Sequence, residues 1–277
     1  MASATLLHPG FYSSIQDYGR MHYRHLGVPH SGVMDREAAA NANALLGNPA
    51  DTAVLEMIIK GITLKFEELA AIAVIGHIAQ ITLNEVTIES GKSFKVHPGD
   101  VLKIGTLKQG HFAYLAIQGG WQTKSVLGSQ SMYQGITTKG MLFKNDTLEY
   151  KTDLPSVPPK IAMDLTYTNI IIASRGPEYE LLPLSFQRLL QQSKFELSSS
   201  WNRMGYTFDT GSAVAIDQIK TAPVLPGTVQ LTPSGKLIVL MRDAQTTGGY
   251  PRVLQLDEPA INQIARLQVG STIKFQI

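Results

Sequence analysis

Two stretches of this chain concentrate side chains able to bind or activate a small polar molecule. The first, residues 16–48, runs from Gln16-Asp17-Tyr18-Gly19-Arg20 through Gly27-Val28-Pro29-His30-Ser31-Gly32 to Met34-Asp35 and on to Gly47-Asn48. Carboxylates, guanidiniums, imidazoles and carboxamides share this one segment, more polar chemistry than a fold alone requires. That makes the segment the main site candidate. The second stretch is Arg242-Asp243-Ala244-Gln245-Thr246-Thr247-Gly248-Gly249-Tyr250-Pro251. One amide, two hydroxyls and two flexible glycines before a proline-fixed turn suit a planar amide, carboxylate or ureido ligand. Each stretch also admits a purely bracing role, because buried polar networks and turn side chains commonly bond their own backbone.

The elements that must hold these groups are legible locally. Gly19, Gly27 and Gly32 with Pro29 describe a shaped loop rather than a floppy linker. Asp35 stands where an N-cap belongs, before Arg36-Glu37 and an alanine-rich run, and Gly47 follows Leu45-Leu46 as a helix terminator, so a helix is expected over about 36–46. Asn41 and Asn43 are weak helix formers, and their presence inside it implies a tertiary task. Glu56 lies within the strand-like run Ala53-Val-Leu-Glu-Met-Ile-Ile. It is expected to face a sheet edge, or, if buried, to pair with an arginine of the opening segment.

Beyond this point the pattern is β. Short alternating runs separated by turn signals occupy 61–117, and Gln118-Gly119-Gly120-Trp121 closes the last of them. Pro98-Gly-Asp-Val-Leu-Lys-Ile, Lys144-Asn-Asp-Thr-Leu-Glu-Tyr and Val269-Gly-Ser-Thr-Ile-Lys-Phe share one pattern, a tight turn feeding a two-faced strand. Three prolines within 151–160 mark the expected linker, and a second half follows with strands around 169–175, 194–216 and 236–241 and helices near 185–192 and 259–267. The chain is expected to be mainly β with a few short helices, in domains spanning 1–155 and 160–277.

Composition narrows the function. At 277 residues with 44% hydrophobic content the chain can bury two cores, and 24 basic against 22 acidic residues leave a net charge of +2. Without runs of like charge there is no footprint of a nucleic-acid or anionic-membrane binder. Cysteine is absent, which excludes thiolate chemistry and disulfides. The N-terminus lacks a basic region before an apolar core, and the apolar run 69–81 is too short to span a bilayer, so a cytoplasmic protein is expected. There is no Walker A loop, GxGxxG, HExxH or GxSxG. His22, His25 and His30 offer a loose metal-ligand spacing that nothing in the sequence fixes, and no metal is expected.

The order and spacing of several motifs resemble the allophanate hydrolase subunit 2 family, also called the KipA or PxpC family, over nearly the whole chain. They are Gln16-Asp17-Tyr-Gly19-Arg20, Gly27 to Asp35, Ala42-Asn43-Ala-Leu-Leu-Gly47-Asn48, Leu55-Glu56, Arg175-Gly-Pro177, Asn202-Arg203-Met-Gly205 and Gln245 to Pro251. The resemblance implies two cyclophilin-like β-barrel domains and a partner of the KipI or allophanate hydrolase subunit 1 type. With a third LamB/YcsF-type subunit, such pairs resemble an ATP-dependent 5-oxoprolinase, which opens the lactam of 5-oxoproline to glutamate. Asp17, Arg20, Asp35 and Arg203 are then the candidate catalytic residues. Asn43, Asn48, Glu56, Gln245, Thr246, Thr247 and Tyr250 are the candidate substrate-binding or bracing residues. ATP is the implied cosubstrate of the complex. Two other expectations come with the family: a KipA-type regulator that sequesters a kinase inhibitor, and the carboxyltransferase part of a urea carboxylase-like system that uses biotin. The chain departs from the pattern where His22 replaces a glycine, Gln130 an arginine, and Lys139-Gly140 a Gly-Arg pair. Two fewer guanidiniums matter for any anionic ligand, since Gln cannot supply a charged fork.

Overall fold

The computed structural model describes residues 2–152, 162, 163, 165, 167–214 and 216–277. The proline-rich stretch expected as a linker lies, from 153 to 160, outside the described residues. Two compact units emerge, one formed by Met1–Arg20 with Ser31–Leu165 and the other by Met21–His30 with Thr166–Ile277. The short segment 21–30 therefore groups with residues far along the chain.

The first unit holds eleven strands among the described residues: β1 (Ala2–His8), β2 (Tyr12–Gln16), β3 (Val54–Ile58), β4 (Thr63–Phe66), β5 (Ala70–Ile78), β6 (Ile81–Leu83), β7 (Val86–Ile88), β8 (Ser93–Val96), β9 (Val101–Ile104), β10 (Leu107–Ile117) and β11 (Thr147–Tyr150). They form one sheet in the order β11-β1-β4-β9-β6-β7 and another in the order β2-β3-β10-β5-β8. Alternation explains the layering. Leu6, Leu64 and Leu102 from the first sheet and Leu55, Val74 and Leu115 from the second meet in one shared core, while the alternate residues Thr63 and Lys103 pair on the other face of β4 and β9. Helix α1 (Arg36–Leu45) packs on β5 and β10 through its alanine face.

In the second unit, β12 (Ile170–Arg175), β13 (Phe195–Trp201), β14 (Gly205–Asp209), β16 (Thr228–Leu231), β17 (Lys236–Leu240), β19 (Arg252–Leu256) and β20 (Thr272–Gln276) close into a barrel in the order β12-β19-β16-β17-β14-β13-β20. A parallel pairing of β12 with β20 joins the ends. Tyr206 sits opposite Val239, and Phe208 opposite Leu237. All four are fully buried and fill the barrel. A two-stranded ribbon of β15 (Ala222–Pro223) and β18 (Thr247–Gly248) is added outside the barrel. Helices α2 (Leu184–Gln192) and α3 (Glu258–Ala265) complete the unit.

The fold is mainly β, as expected, and the helices fall close to their expected positions. Of the two units, the second is the one whose strands form a closed hydrogen-bonded ring among the described residues; the first is a pair of sheets around a shared core. The three turn-to-strand motifs correspond to β9, β11 and β20, each with alternating buried and more exposed residues. No helix among the described residues is long and apolar enough to cross a membrane.

Candidate functional site

In the first unit the polar segment is a lattice centred on Asp17. Its Oδ1 accepts from the Gly19 N–H (2.8 Å), Ser129 Oγ (2.5 Å) and Ser131 Oγ (2.6 Å), and its Oδ2 from the Gln130 N–H (2.6 Å). Ser131 Oγ also accepts from the Asp17 N–H at 3.0 Å. The Arg20 side chain, fully buried, donates to the Ser131 carbonyl. Asp17 and Arg20 thus grip the same short stretch, 129–131, from two sides. Gln130 spends its own amide on the carbonyls of Trp121 (3.0 Å) and Thr123 (2.9 Å).

The turn that brings residues 31–33 back against 17–19 depends on backbone proximity. Gly32 has φ +94°, and a Cβ there would lie 2.8 Å from the Tyr18 carbonyl carbon. No side chain fits that contact. Ser31 precedes it at φ 57°, a conformation uncommon for a non-glycine residue. His22, standing where a glycine was expected, likewise has positive φ, at 71°.

Asp35 caps α1 as expected, accepting the Ala38 N–H at 3.1 Å. Its own N–H donates to the Tyr114 hydroxyl at 2.8 Å. Glu56, 1% exposed, accepts the Met34 N–H at 2.7 Å and is hydrogen-bonded to the Tyr114 hydroxyl. The expectation that Glu56 faces a sheet edge is therefore overturned. Strand β3 lies between β2 and β10, so its side chains cannot reach an edge, and the carboxylate is compensated by a backbone donor and a tyrosine. Burial, reinforced by the Glu56 and Asp35 carboxylates, pushes the Tyr114 phenol well above its usual value, so it stays a neutral donor. Asn43 donates to the Thr52 carbonyl at 2.8 Å. Asn48 bridges Asn43 Oδ1 (3.0 Å) to the Ile117 carbonyl (2.8 Å) and accepts from the Gly119 N–H (2.8 Å). These two amides tie the end of α1 to β10 and to the glycine turn after it.

The second unit presents a cavity of about 310 Å3 on the outside of the barrel wall. Its floor is Gly205, Thr207, Gln230, Ile238 and Leu240; Ser200, Asn202 and Met204 form one rim, and Gln245, Gly248, Gly249 and Tyr250 the other. Strand periodicity accounts for the floor. Thr207 pairs with Ile238, and Gly205 with Leu240, on β14 and β17, whose alternate residues fill the barrel. Gln230 pairs with Ile238 on β16 and is buried although it points away from the barrel core. The loop 245–250 covers it: Gln230 Nε2 donates to the Tyr250 carbonyl (3.3 Å), its Oε1 accepts from Gln245 Nε2 (3.4 Å), and a Cβ on Gly248 would lie 2.5 Å from Gln230 Nε2.

All lining side chains are uncharged, and the amides of Gln230, Gln245 and Asn202 with the hydroxyls of Ser200, Thr207 and Tyr250 supply donors and acceptors together. Arg203 is not among the lining residues. It makes a buried bidentate pair with Asp243, Nε to Oδ2 at 2.7 Å and Nη2 to Oδ1 at 3.0 Å. Thr246 accepts the Val224 N–H through its carbonyl (3.1 Å), and Thr247 pairs with Pro223 in the ribbon. Of the residues expected at a ligand from this half, the structure brings Gln245 and Tyr250 to the cavity. Arg203, Thr246 and Thr247 are not among its lining residues.

Several residues escaped the sequence reading. Gln230 carried a signal, a glutamine in the apolar run Thr-Val-Gln-Leu. Tyr114, Ser129 and Ser131 act across more than seventy residues of sequence, and Arg24, which donates to the carbonyls of Val224 and Gln245 (the latter at 3.1 Å), across two hundred. A larger groove of about 630 Å3 on the outer face of the first unit, lined by Thr63, Gln80, Thr82, Asn84 and Lys103 among others, contains none of the expected site residues.

The family profile for the carboxyltransferase domain, subdomains A and B, matches residues 26–277. The chain belongs to this carboxyltransferase family. Within the family it is 33% identical to a protein of Escherichia coli (strain K12) named as the C-type subunit of 5-oxoprolinase, over 98% of this chain and 89% of that protein. It is 41% identical to a urea amidolyase of Lachancea kluyveri, over 96% of this chain and 16% of that protein. The crystal structure of TTHA0988 superposes with a TM-score of 0.91 at 26% identity, covering all of this chain and 56% of that one, so the carboxyltransferase-family chain spans about half the length of this solved relative.

Proposed function

We propose that this chain is a subunit of a heteromeric, ATP-dependent 5-oxoprolinase that opens the lactam of 5-oxoproline to glutamate. The observation that carries this is the similarity to the C-type subunit of a bacterial 5-oxoprolinase along nearly the whole of both proteins. The uncharged, amide-lined cavity of the second unit supports it, because a lactam presents a neutral N–H donor beside a carbonyl acceptor, which a pair of carboxamides can match.

A lactam is a resonance-stabilised amide, and ATP supplies the activation of its carbonyl oxygen that makes the ring carbon a better electrophile. Gln245 and Gln230 orient the ring, and the Tyr250 loop shields it from water. Arg203 with Asp243 holds the base of the loop that carries Gln245, since both lie at the turns flanking β14 and β17. In the first unit Asp17, Arg20 and Asp35 organise the wall formed by residues 17–20, 31–35 and 129–131, with Asn43, Asn48 and Glu56 bracing it. A carboxylate that activates water is the remaining element of the reaction.

The chain works with a KipI or subunit 1-type protein and a LamB/YcsF-type protein in the cytoplasm and is inactive alone. The test is ATP-dependent glutamate release from 5-oxoproline with each protein omitted in turn. Activity that needs all three supports the assignment, and full activity without this chain removes it. A second reading, carboxyl transfer between biotin and a urea-like acceptor, draws on the family itself and on the urea amidolyase similarity. A ureido group is as neutral and planar as a lactam and meets the same amides, so carboxylation of a urea-like acceptor in the presence of a biotin carboxylase distinguishes the two.

A further inference from the structure

Three carboxamides line the second-unit cavity, Asn202 on one rim, Gln245 on the other and Gln230 in the floor. A carboxamide carries a donor at one end and an acceptor at the other, so what it offers a ligand depends on which end the protein has already engaged. Backbone groups, each of which can only donate or only accept, decide this for all three.

Asn202 lies in the turn between β13 and β14. Its Oδ1 accepts the Met204 N–H at 2.7 Å and the Gly205 N–H at 3.2 Å. Turning this amide over would set its NH2 against two donors, so Oδ1 faces the turn. Nδ2 is the end that remains, exposed and without a hydrogen bond to the described residues. In the floor, Gln230 Nε2 donates to the Tyr250 carbonyl at 3.3 Å, and its Oε1 accepts from Gln245 Nε2 at 3.4 Å. Both bonds are long, but reversing Gln230 would oppose its oxygen to a carbonyl oxygen, and reversing Gln245 would oppose two amide oxygens. Gln245 therefore turns Nε2 to the floor and keeps Oε1 with no partner among the described residues. The hydroxyls of Ser200, Thr207 and Tyr250 rotate to donate or accept and impose no polarity. The cavity thus presents a donor on the Asn202 rim and an acceptor on the Gln245 rim.

We propose that this cavity is a polarised clamp for an unsubstituted cis-amide: Asn202 Nδ2 donates to the carbonyl oxygen, Gln245 Oε1 accepts from the ring N–H, and Gln230 is a positioning residue that holds the Gln245 amide the right way round. A five-membered lactam presents those two groups side by side on one edge, because its ring forces the amide cis. The proposal rests on the second-unit cavity being the lactam site. It adds the direction in which the ring lies and names Asn202 as the residue that recognises its carbonyl.

Two analogues of 5-oxoproline probe the two ends separately: the lactone, in which oxygen replaces the ring N–H, and the thiolactam, in which sulfur, a weaker acceptor, replaces the carbonyl oxygen. Both keep the carboxylate. Affinities for the reconstituted complex are measured by calorimetry for the unmodified chain, Gln245→Met, Gln230→Leu and Asn202→Ser, with assembly and thermal midpoint checked for each; serine retains an acceptor for the turn. The unmodified chain should favour lactam over lactone by roughly 10- to 100-fold, since the lactone sets its ring oxygen against Gln245 Oε1. Gln245→Met should abolish that preference and spare the preference for lactam over thiolactam, and Asn202→Ser should do the reverse. Gln230→Leu frees the Gln245 amide to turn and should shrink the discrimination against the lactone. Equal weakening of all three ligands in the variants would make these residues scaffolding only and overturn the proposal, as would both preferences surviving in every variant. Either of those outcomes with ATP-dependent turnover in the unmodified complex would leave the oxoprolinase assignment standing while removing the clamp. The crossed pattern in a complex that turns over no 5-oxoproline would keep the clamp and remove the assignment.

Discussion

Replacing Asp17 with asparagine separates a bracing carboxylate from a catalytic one. The carboxylate receives three donors on Oδ1 and the Gln130 N–H on Oδ2 at 2.6 Å. Asparagine can keep its oxygen toward the three donors only by turning its NH2 against the Gln130 N–H. Each of the three retained bonds loses its charge assistance, about 1 kcal/mol apiece, and the N–H left facing a donor costs about 1–3 kcal/mol. Because Asp17 is partly exposed, part of this is returned by water, and a net destabilisation of roughly 2–4 kcal/mol is expected. Urea denaturation followed by tryptophan fluorescence reads it, since Trp121 lies in the same unit and its carbonyl is held by Gln130. Ser131→Ala should share much of the loss, so the double variant should cost clearly less than the sum of the two. If Asp17→Asn kept its unfolding midpoint while the assembled complex lost all turnover, the bracing argument would fail and Asp17 would have to act on the substrate.

The remaining predictions concern other parts of the molecule. Asp243→Ala leaves the buried Arg203 guanidinium without its fork partner and should destabilise the second unit by about 3–5 kcal/mol, whereas Arg203→Met with Asp243→Leu should recover much of that loss in the same denaturation assay. His111 is buried and its pKa is lowered to about 4 from an ordinary 6.5, so between those values the unfolded chain binds a proton that the folded chain refuses. Stability from this group is therefore fully present above about pH 6.5 and falls as the pH drops toward 4, by up to ~3 kcal/mol, and His111→Gln should flatten that part of the stability profile measured by urea midpoints.

Local rules carried the sequence far in some places and no distance in others. The Asp35 cap and the helix it starts were legible because capping depends on residues three apart. The β character followed from alternation within single strands, as in β9, β11 and β20. Which strand lies at an edge is decided by pairing across the sheet, and Glu56 shows the consequence. A glutamate is rarely buried on general grounds, yet β3 sits between two neighbours, and a tyrosine 58 residues later meets its carboxylate. Arg203 was expected at the ligand because its motif looked functional, but its charge is answered by Asp243, forty residues away. Gln245 and Tyr250 were recognisable from the donor set of their turn, while Gln230 beneath them was not, because only the covering ribbon turns an outward strand position into a buried one. Arg24 gave no signal, since the segment that carries it groups with a unit whose other residues begin at Thr166.

The most direct test of the account is steady-state turnover of 5-oxoproline by the reconstituted complex carrying Gln245→Ala, with assembly verified by size-exclusion chromatography. The cavity assignment predicts an intact complex whose kcat/KM falls by about 100-fold, on the order of what an unpaired hydrogen-bonding group in a specific site costs. An intact complex with unchanged kcat/KM would place the lactam elsewhere and contradict the assignment of the second-unit cavity.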